Sequence, residues 1–151
     1  MFLLDPEPSF GVEPTNFRLS SWDGGGPSGT IVNLKHPAMS DFPSDGWCDL
    51  QFYPLIQKSK TILLSPLPAK FEPLIRCIDR PTRLAVRAYL FEASVGRGKL
   101  LVSGLNFGQA LKSGDPAAAF LFDRLVRYAL GSDFKPKESL PVNVMRTRAA
   151  R

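Results

Sequence analysis

The stretch that most constrains this chain is "RLAVRAYLFEASVGRGKLLVSGLNF", residues 83–107. Two apolar runs flank Gly96-Arg97-Gly98, and glycines at both ends of a short loop between such runs signal a β-hairpin. Side chains alternate across a strand, so Leu90 beside Phe91 and Leu100 beside Leu101 make both strands apolar on both faces. A sheet built on this hairpin must therefore be covered on each side.

Part of the cover follows directly. "GDPAAAFLFDRLVRYALGSDF" (114–134) has Asp115 as an N-cap, Pro116 at the first helical position and Gly131 as a terminator. Ala118, Leu121, Phe122, Leu125, Val126 and Ala129 recur at helical spacing, while Asp123, Arg124 and Arg127 point elsewhere. Upstream, "GTIVNL" (29–34), "KTILL" (60–64) and "PLIRCID" (73–79) read as short strands, with helical turns expected near Met39 and over 50–56. Strands closed by a packed helix make the fold class α/β.

The 151 residues suit one domain. Residues 1–27, with Pro6, Pro8, Pro14 and "DGGGP" at 23–27, read as an extended lead-in and a Gly/Pro loop. The α/β domain is expected over 28–134, and 135–151 form a basic, flexible tail. Four of the five net positive charges fall in that tail, so the body is nearly neutral. A nucleic-acid binder needs basic residues clustered on a folded face with aromatics between them, and no such stripe is present. Two cysteines and one histidine without a CxxC pair do not make a usual zinc site, and no cofactor is expected. "MFLLDPEPSF" lacks the basic start and long apolar core of a signal peptide. No run approaches the roughly 18 apolar residues of a membrane span, so no membrane partner is expected.

Chemistry-bearing residues concentrate in "HPAMSDFPSDGWCDLQFYPL", residues 36–55, which holds the single histidine, Cys48 and Trp47. A His36–Cys48–Asp49 triad can be drawn on paper. A nucleophilic cysteine of the amidotransferase kind, however, sits on a tight elbow between a strand and a helix, flanked by small residues. Trp47 directly precedes Cys48, and the thiol reads as a partly buried spectator. His36, ahead of Pro37, is expected to hydrogen-bond a loop backbone group. Asp41 and Asp45 are expected to cap short turns, and Trp47 and Phe52 to anchor the loop on the core. Glu92 lies inside an apolar strand, where a carboxylate needs a partner such as Arg76 or Arg87. "SVGRGK" lacks the spacing of a phosphate loop and is followed by a strand, so it is a turn. The residues to examine for ligand or interface contacts are His36, Asp41, Trp47, Asp49, Gln51, Phe52 and Glu92.

Four segments in order, "HPAMSDFPSDGWCDLQFYPLI", "PLIRCID", "YLFEASVGRGKLLVSGLNF" and "DPAAAFLFDRLVRYALGSDFKP", resemble the region that follows the catalytic domains in glycoside hydrolases of the family 2, β-galactosidase-like type. The resemblance runs from about residue 16 to 136. Its most specific pieces are "HPAMSDFP" (36–43) and "FEASVGRGKLLVSGLNF" (91–107). The family pattern reads roughly "SDWQWW" where this chain has "CDLQFY" (48–53), so Leu50 and Phe52 stand at tryptophan positions. The resemblance implies a partial flavodoxin-like, glutamine amidotransferase-like sheet with a β-hairpin and one long covering C-terminal helix. It implies a non-catalytic accessory domain whose parent hydrolyses terminal glycosidic bonds, with catalytic glutamates in a separate barrel of roughly 200 or more residues. Implied partners are other domains or subunits of such an enzyme, or a second copy of the chain, with carbohydrate at a cleft. Parent enzymes of this type are often periplasmic or secreted. The alternative is a stand-alone small-molecule or carbohydrate-binding protein, or a small hydrolase, using the His36–Gln51 loop. A sheet missing its first half should also present an open edge or an apolar patch.

Overall fold

The structure, a computed structural model, describes residues 1–4, 6, 10–17, 30–64, 71–77, 79 and 85–142. The expected glycine loop at 23–27 and the tail beyond 142 lie outside them. The described strands are β1 (Phe2–Leu3), β2 (Val12–Thr15), β3 (Thr30–Val32), β4 (Ser59–Leu63), β5 (Ile75–Cys77), β6 (Arg87–Val95), β7 (Gly98–Ser103) and β8 (Ser139–Leu140). A 3₁₀ turn at Leu50–Phe52 runs into α1 (Tyr53–Ile56), and α2 (Phe107–Lys112) and α3 (Pro116–Leu130) follow the hairpin.

All eight strands join one mixed sheet centred on β6. Along one edge β6 pairs with β7 over Leu90–Val95 and with β4 at Arg87 and Ala88; along the other it pairs with β5 and β8. The pairings are antiparallel except β1 with β7 and β6 with β8. The protein is thus mixed α/β with a mostly antiparallel sheet and few helices.

The hairpin turns through Gly96 and Arg97, with Val95 opposite Gly98. Gly96 has φ +58° at the first central position, where L-residues with a Cβ are disfavoured. The doubly apolar strands have the expected consequence, a core on each face. On one face Leu90 and Leu101 pack with Phe52, Leu55, Phe107, Leu121 and Leu125 beneath the helices. On the other, Phe91, Ala93, Leu100 and Val102 meet Phe10, Leu64, Phe71 and Leu140, so that face is closed by loop and strand residues. Leu121 and Leu125 are fully buried and contribute about 2 kcal/mol each to docking α3.

The α3 cap is as the sequence implies. Asp115 Oδ1 accepts from Ala118 N–H at 2.7 Å, and Pro116 opens the helix. The buried stripe is narrower than the sequence reading: Ala118, Leu121 and Leu125 are buried and are joined by Tyr128, while Phe122, Val126 and Ala129 are half-buried. Two strands arise in the stretch read as lead-in, and β8 forms at 139–140 within the stretch read as tail. Gly104 marks where β4 and β7 part. Its N–H donates to Tyr89 O and its carbonyl accepts from Lys60 N–H, both at 2.8 Å. A Cβ at position 104 would lie 2.0 Å from Lys60 O.

Candidate functional site

Glu92 lies on the same face of β6 as Leu90, two residues away, and therefore looks toward the helices. Nothing apolar covers it there. The last turn of α3 brings Tyr128 to it, and the phenol donates to Glu92 Oε2 at 2.8 Å. From the opposite side His36 Nε2 stands 3.4 Å from Glu92 Oε1. The expected partners Arg76 and Arg87 do not serve. Arg76 is exposed on β5, and Arg87 is buried at the other end of β6, where it holds Glu13 Oε2 at 2.6 Å and Asp79 Oδ1 at 3.7 Å. The physical reason is distance along the strand: five residues of β6 place Arg87 roughly 15 Å from Glu92.

His36 is set by its own loop. Its N–H donates to Asn33 O, its carbonyl accepts from Met39 N–H, and Nδ1 accepts from Ala38 N–H at 3.3 Å. The expected loop hydrogen bond is therefore present. Tyr128 packs edge-on against both His36 and Phe134, with centroid separations of 5.2 and 5.4 Å. Lys99 Nζ donates to Phe134 O at 2.6 Å, and Ser94 N–H donates to Glu138 O at 2.8 Å; these bonds hold the 133–138 segment along the rim.

The result is a cleft of about 500 Å³. Glu92, His36 and Tyr128 form its polar floor, Phe71, Leu74 and Pro37 its apolar side, and Lys35, Lys135 and Lys137 part of its rim. The side chains of His36 and Glu92 are 16% and 11% exposed, so both remain reachable. Burial first, and the bond to Glu92 second, push the Tyr128 phenol above its ordinary range. The phenol is thus a hydrogen-bond donor at neutral pH. Glu92 Oε2 accepts from the Tyr128 phenol, and Oε1 lies 3.4 Å from His36 Nε2 without a hydrogen bond between them. This arrangement can orient a ligand.

The other sequence candidates do not gather here. Asp41 forms an exposed ion pair with Arg124 at 2.7 Å, which ties the loop to α3; it does not cap a turn. The nearby turn is instead held by Ser44, whose Oγ accepts from Gly46 N–H and donates to Trp47 O. Asp49 is exposed and precedes the 3₁₀ turn without a side-chain cap, and Gln51 donates to Pro43 O. Phe52 is fully buried and anchors the loop as expected, but Trp47 is 62% exposed and does not. Cys48 N–H donates to Thr30 Oγ1. Burial pushes the thiols of both Cys48 and Cys77 up to about 12, and neither is in a disulfide. A thiol so raised carries too little thiolate at neutral pH to act as a nucleophile, so the paper triad has no chemistry. Among the described residues no three His, Cys, Asp or Glu side chains are grouped to hold a metal ion, and no helix is long and apolar enough to cross a membrane.

Tyr128 and the 133–138 rim were missed from sequence because Tyr128 fits the apolar helix stripe and the rim lies past the helix terminator. The available signal was a buried carboxylate needing a donor, with a tyrosine on the covering helix. The convergence joins distant segments: His36 from "HPAMSDFP", Glu92 from "FEASVGRG" and Tyr128 from "RLVRYALGSDF". No curated protein matches the chain. A family model described as "Domain of unknown function (DUF8487)" matches residues 16–149, which take in the whole cleft, and the chain belongs to that family.

Proposed function

We propose that this chain is a non-catalytic accessory module of a glycoside hydrolase of the family 2, β-galactosidase-like type. It packs against other domains or subunits of the enzyme that hydrolyses terminal glycosidic bonds, and contributes the His36–Glu92–Tyr128 cleft to the shared surface. The same reading takes the sheet, with its parallel β1–β7 pair and covering α3, as a partial flavodoxin-like, amidotransferase-like unit. The observation that carries the proposal is the meeting of three of the four family-like segments at one cleft, through the 3.4 Å His36–Glu92 and 2.8 Å Tyr128–Glu92 contacts. Residues that matter only for local folding have no reason to converge from three places on one accessible carboxylate.

Two features support an accessory role over an independent hydrolase. Glu92, the floor carboxylate, already accepts from the Tyr128 phenol, and the other acids of the cleft, Glu72, Asp133 and Glu138, stand at its rim among Lys35, Lys135 and Lys137, whereas glycoside hydrolysis uses two carboxyl groups held across the bond. Trp47, Leu50 and Tyr53 are 62%, 73% and 48% exposed within seven residues, an apolar surface that a neighbouring domain can cover. The test is turnover of chromogenic glycosides by the purified chain. The expected result is none; turnover removed by Glu92→Gln or His36→Ala overturns the proposal.

A further inference from the structure

We infer that the cleft binds a neutral polyhydroxylated ligand, a saccharide of one or two rings, with Glu92 as its central acceptor. The inference rests on the accessory-module reading only for the choice of saccharide probes; its chemistry comes from the cleft itself.

Cavity volume sets the size of the ligand. About 500 Å³ lies within the range of sites that enclose small organic ligands. Charge sets its class. Lys35, Lys135 and Lys137 line the cleft together with Glu72, Asp133 and Glu138 at the rim and Glu92 at the floor. Three ammonium groups against four carboxylates make no field of one sign. An anionic ligand would meet the four acids and a cationic one the three lysines. Lysines only donate and ionised carboxylates only accept, whereas a hydroxyl does both. A ligand made of hydroxyls therefore finds a partner at every charged position, wherever it is turned.

Glu92 gives the binding its specific point. A carboxylate has about four lone-pair sites on two oxygens. Tyr128 uses one on Oε2 and His36 faces one on Oε1, which leaves an acceptor site on each oxygen. Two adjacent acceptors match two hydroxyls on neighbouring ring carbons. The Tyr128 bond and the adjacent His36 ring restrain the carboxylate, so little ordering is left for the ligand to drive. Phe71, Leu74 and Pro37 offer the apolar side against which the C–H face of a ring can lie.

The test is titration calorimetry and ligand-observed NMR on the full chain with galactose and lactose. Glucuronic acid, glucosamine and inorganic phosphate serve as comparison probes. Saturable binding of a neutral sugar, with the charged probes weaker, is the expected result. Glu92→Gln, checked for retained fold by circular dichroism, should weaken binding about tenfold, because it removes a charged acceptor. Lys135→Ala, at an exposed rim position that cannot unfold the sheet, should weaken it about threefold. Absence of saturable neutral-sugar binding, tighter binding of any charged probe, or a folded Glu92→Gln protein that binds unchanged overturns the inference. Glycosidase turnover by the chain sinks the accessory reading and leaves this binding intact. A chain with neither turnover nor sugar binding sinks this inference alone.

Discussion

Replacing Tyr128 by phenylalanine tests the site most cleanly, because it removes one oxygen and little else. The ring contacts to His36 and Phe134 at 5.2 and 5.4 Å persist in Phe, so packing is unchanged. The main loss is the 2.8 Å bond to Glu92, together with the contact of the phenol oxygen with the Lys135 backbone. A hydrogen bond to a charged group is worth about 1.5–3 kcal/mol. Glu92 is 11% exposed on an open cleft, so water can take the place of the lost phenol, and the lower end, about 1–1.5 kcal/mol, is expected. For a chain of this length, that lowers the melting temperature by about 2–6 °C. Urea denaturation of wild type, Tyr128→Phe, Glu92→Gln and the double variant closes a cycle in which the two changes should couple by at least about 0.5 kcal/mol. The phenol also titrates. Its pKa is raised in the folded protein, so its stabilising effect is complete below the unfolded value near 10 and is lost as pH climbs beyond it. Tyr128→Phe should therefore flatten the alkaline fall in stability. A variant as stable as wild type, or a cycle with no coupling, would refute the reasoning that the phenol holds the carboxylate.

Cys48 and Cys77 have folded pKa values raised from 9.0 to about 12, so the native state disfavours their thiolates. Stability should fall as pH rises from 9 toward 12, and a thiol reagent at pH 8 should label buried Cys77 at the rate of unfolding and half-buried Cys48 sooner; fast labelling of Cys77 contradicts its burial. Gly104→Ala would drive a methyl to 2.0 Å from Lys60 O, and the backbone there is fixed by two hydrogen bonds, so a cost above about 3 kcal/mol is expected by chemical denaturation. Asp115→Ala removes the α3 cap and should cost about 1 kcal/mol, with Asp115→Asn close to wild type. Arg87→Ala removes the buried ion pairs to Asp79 and Glu13 and should cost more by urea denaturation than Arg124→Ala, whose partner Asp41 is exposed.

The legible parts of the fold are those that local pattern determines. The hairpin turn needs a residue that accepts positive φ, and Gly96 supplies it between two runs of strand-forming residues. The helix needs a cap, a permitted proline and a stripe, and Asp115, Pro116 and Leu121 with Leu125 supply them. What stayed illegible depends on pairing at a distance. β1 and β8 are two residues each, too short for any periodicity, and exist because a long neighbour offers unpaired backbone: Leu101 N–H donates to Met1 O, and Ser94 N–H to Glu138 O. Helix α2 was hidden for a related reason. "NFGQALK" is only six helical residues after its cap, below the length at which a helix pattern stands out, yet Asn106 Oδ1 caps Gln109 N–H.

The site divides along the same line. Sequence can say that a carboxylate within an apolar strand requires a partner, and Glu92 has the Tyr128 phenol, with His36 beside it. It cannot say which, because opposite-charge arithmetic favours the nearest arginines, and the strand's geometry overrules it. Arg87 sits five residues down β6, where it is held by Glu13 and Asp79, and Arg76 is exposed, so both nearby cations are committed or exposed. A neutral phenol and an imidazole remain, and they change what the site is. Paired with an arginine, Glu92 would be neutralised and closed to ligands. Bonded to the Tyr128 phenol and flanked by the His36 ring, it keeps acceptor sites on an open cleft. That difference turns a structural ion pair into a recognition group.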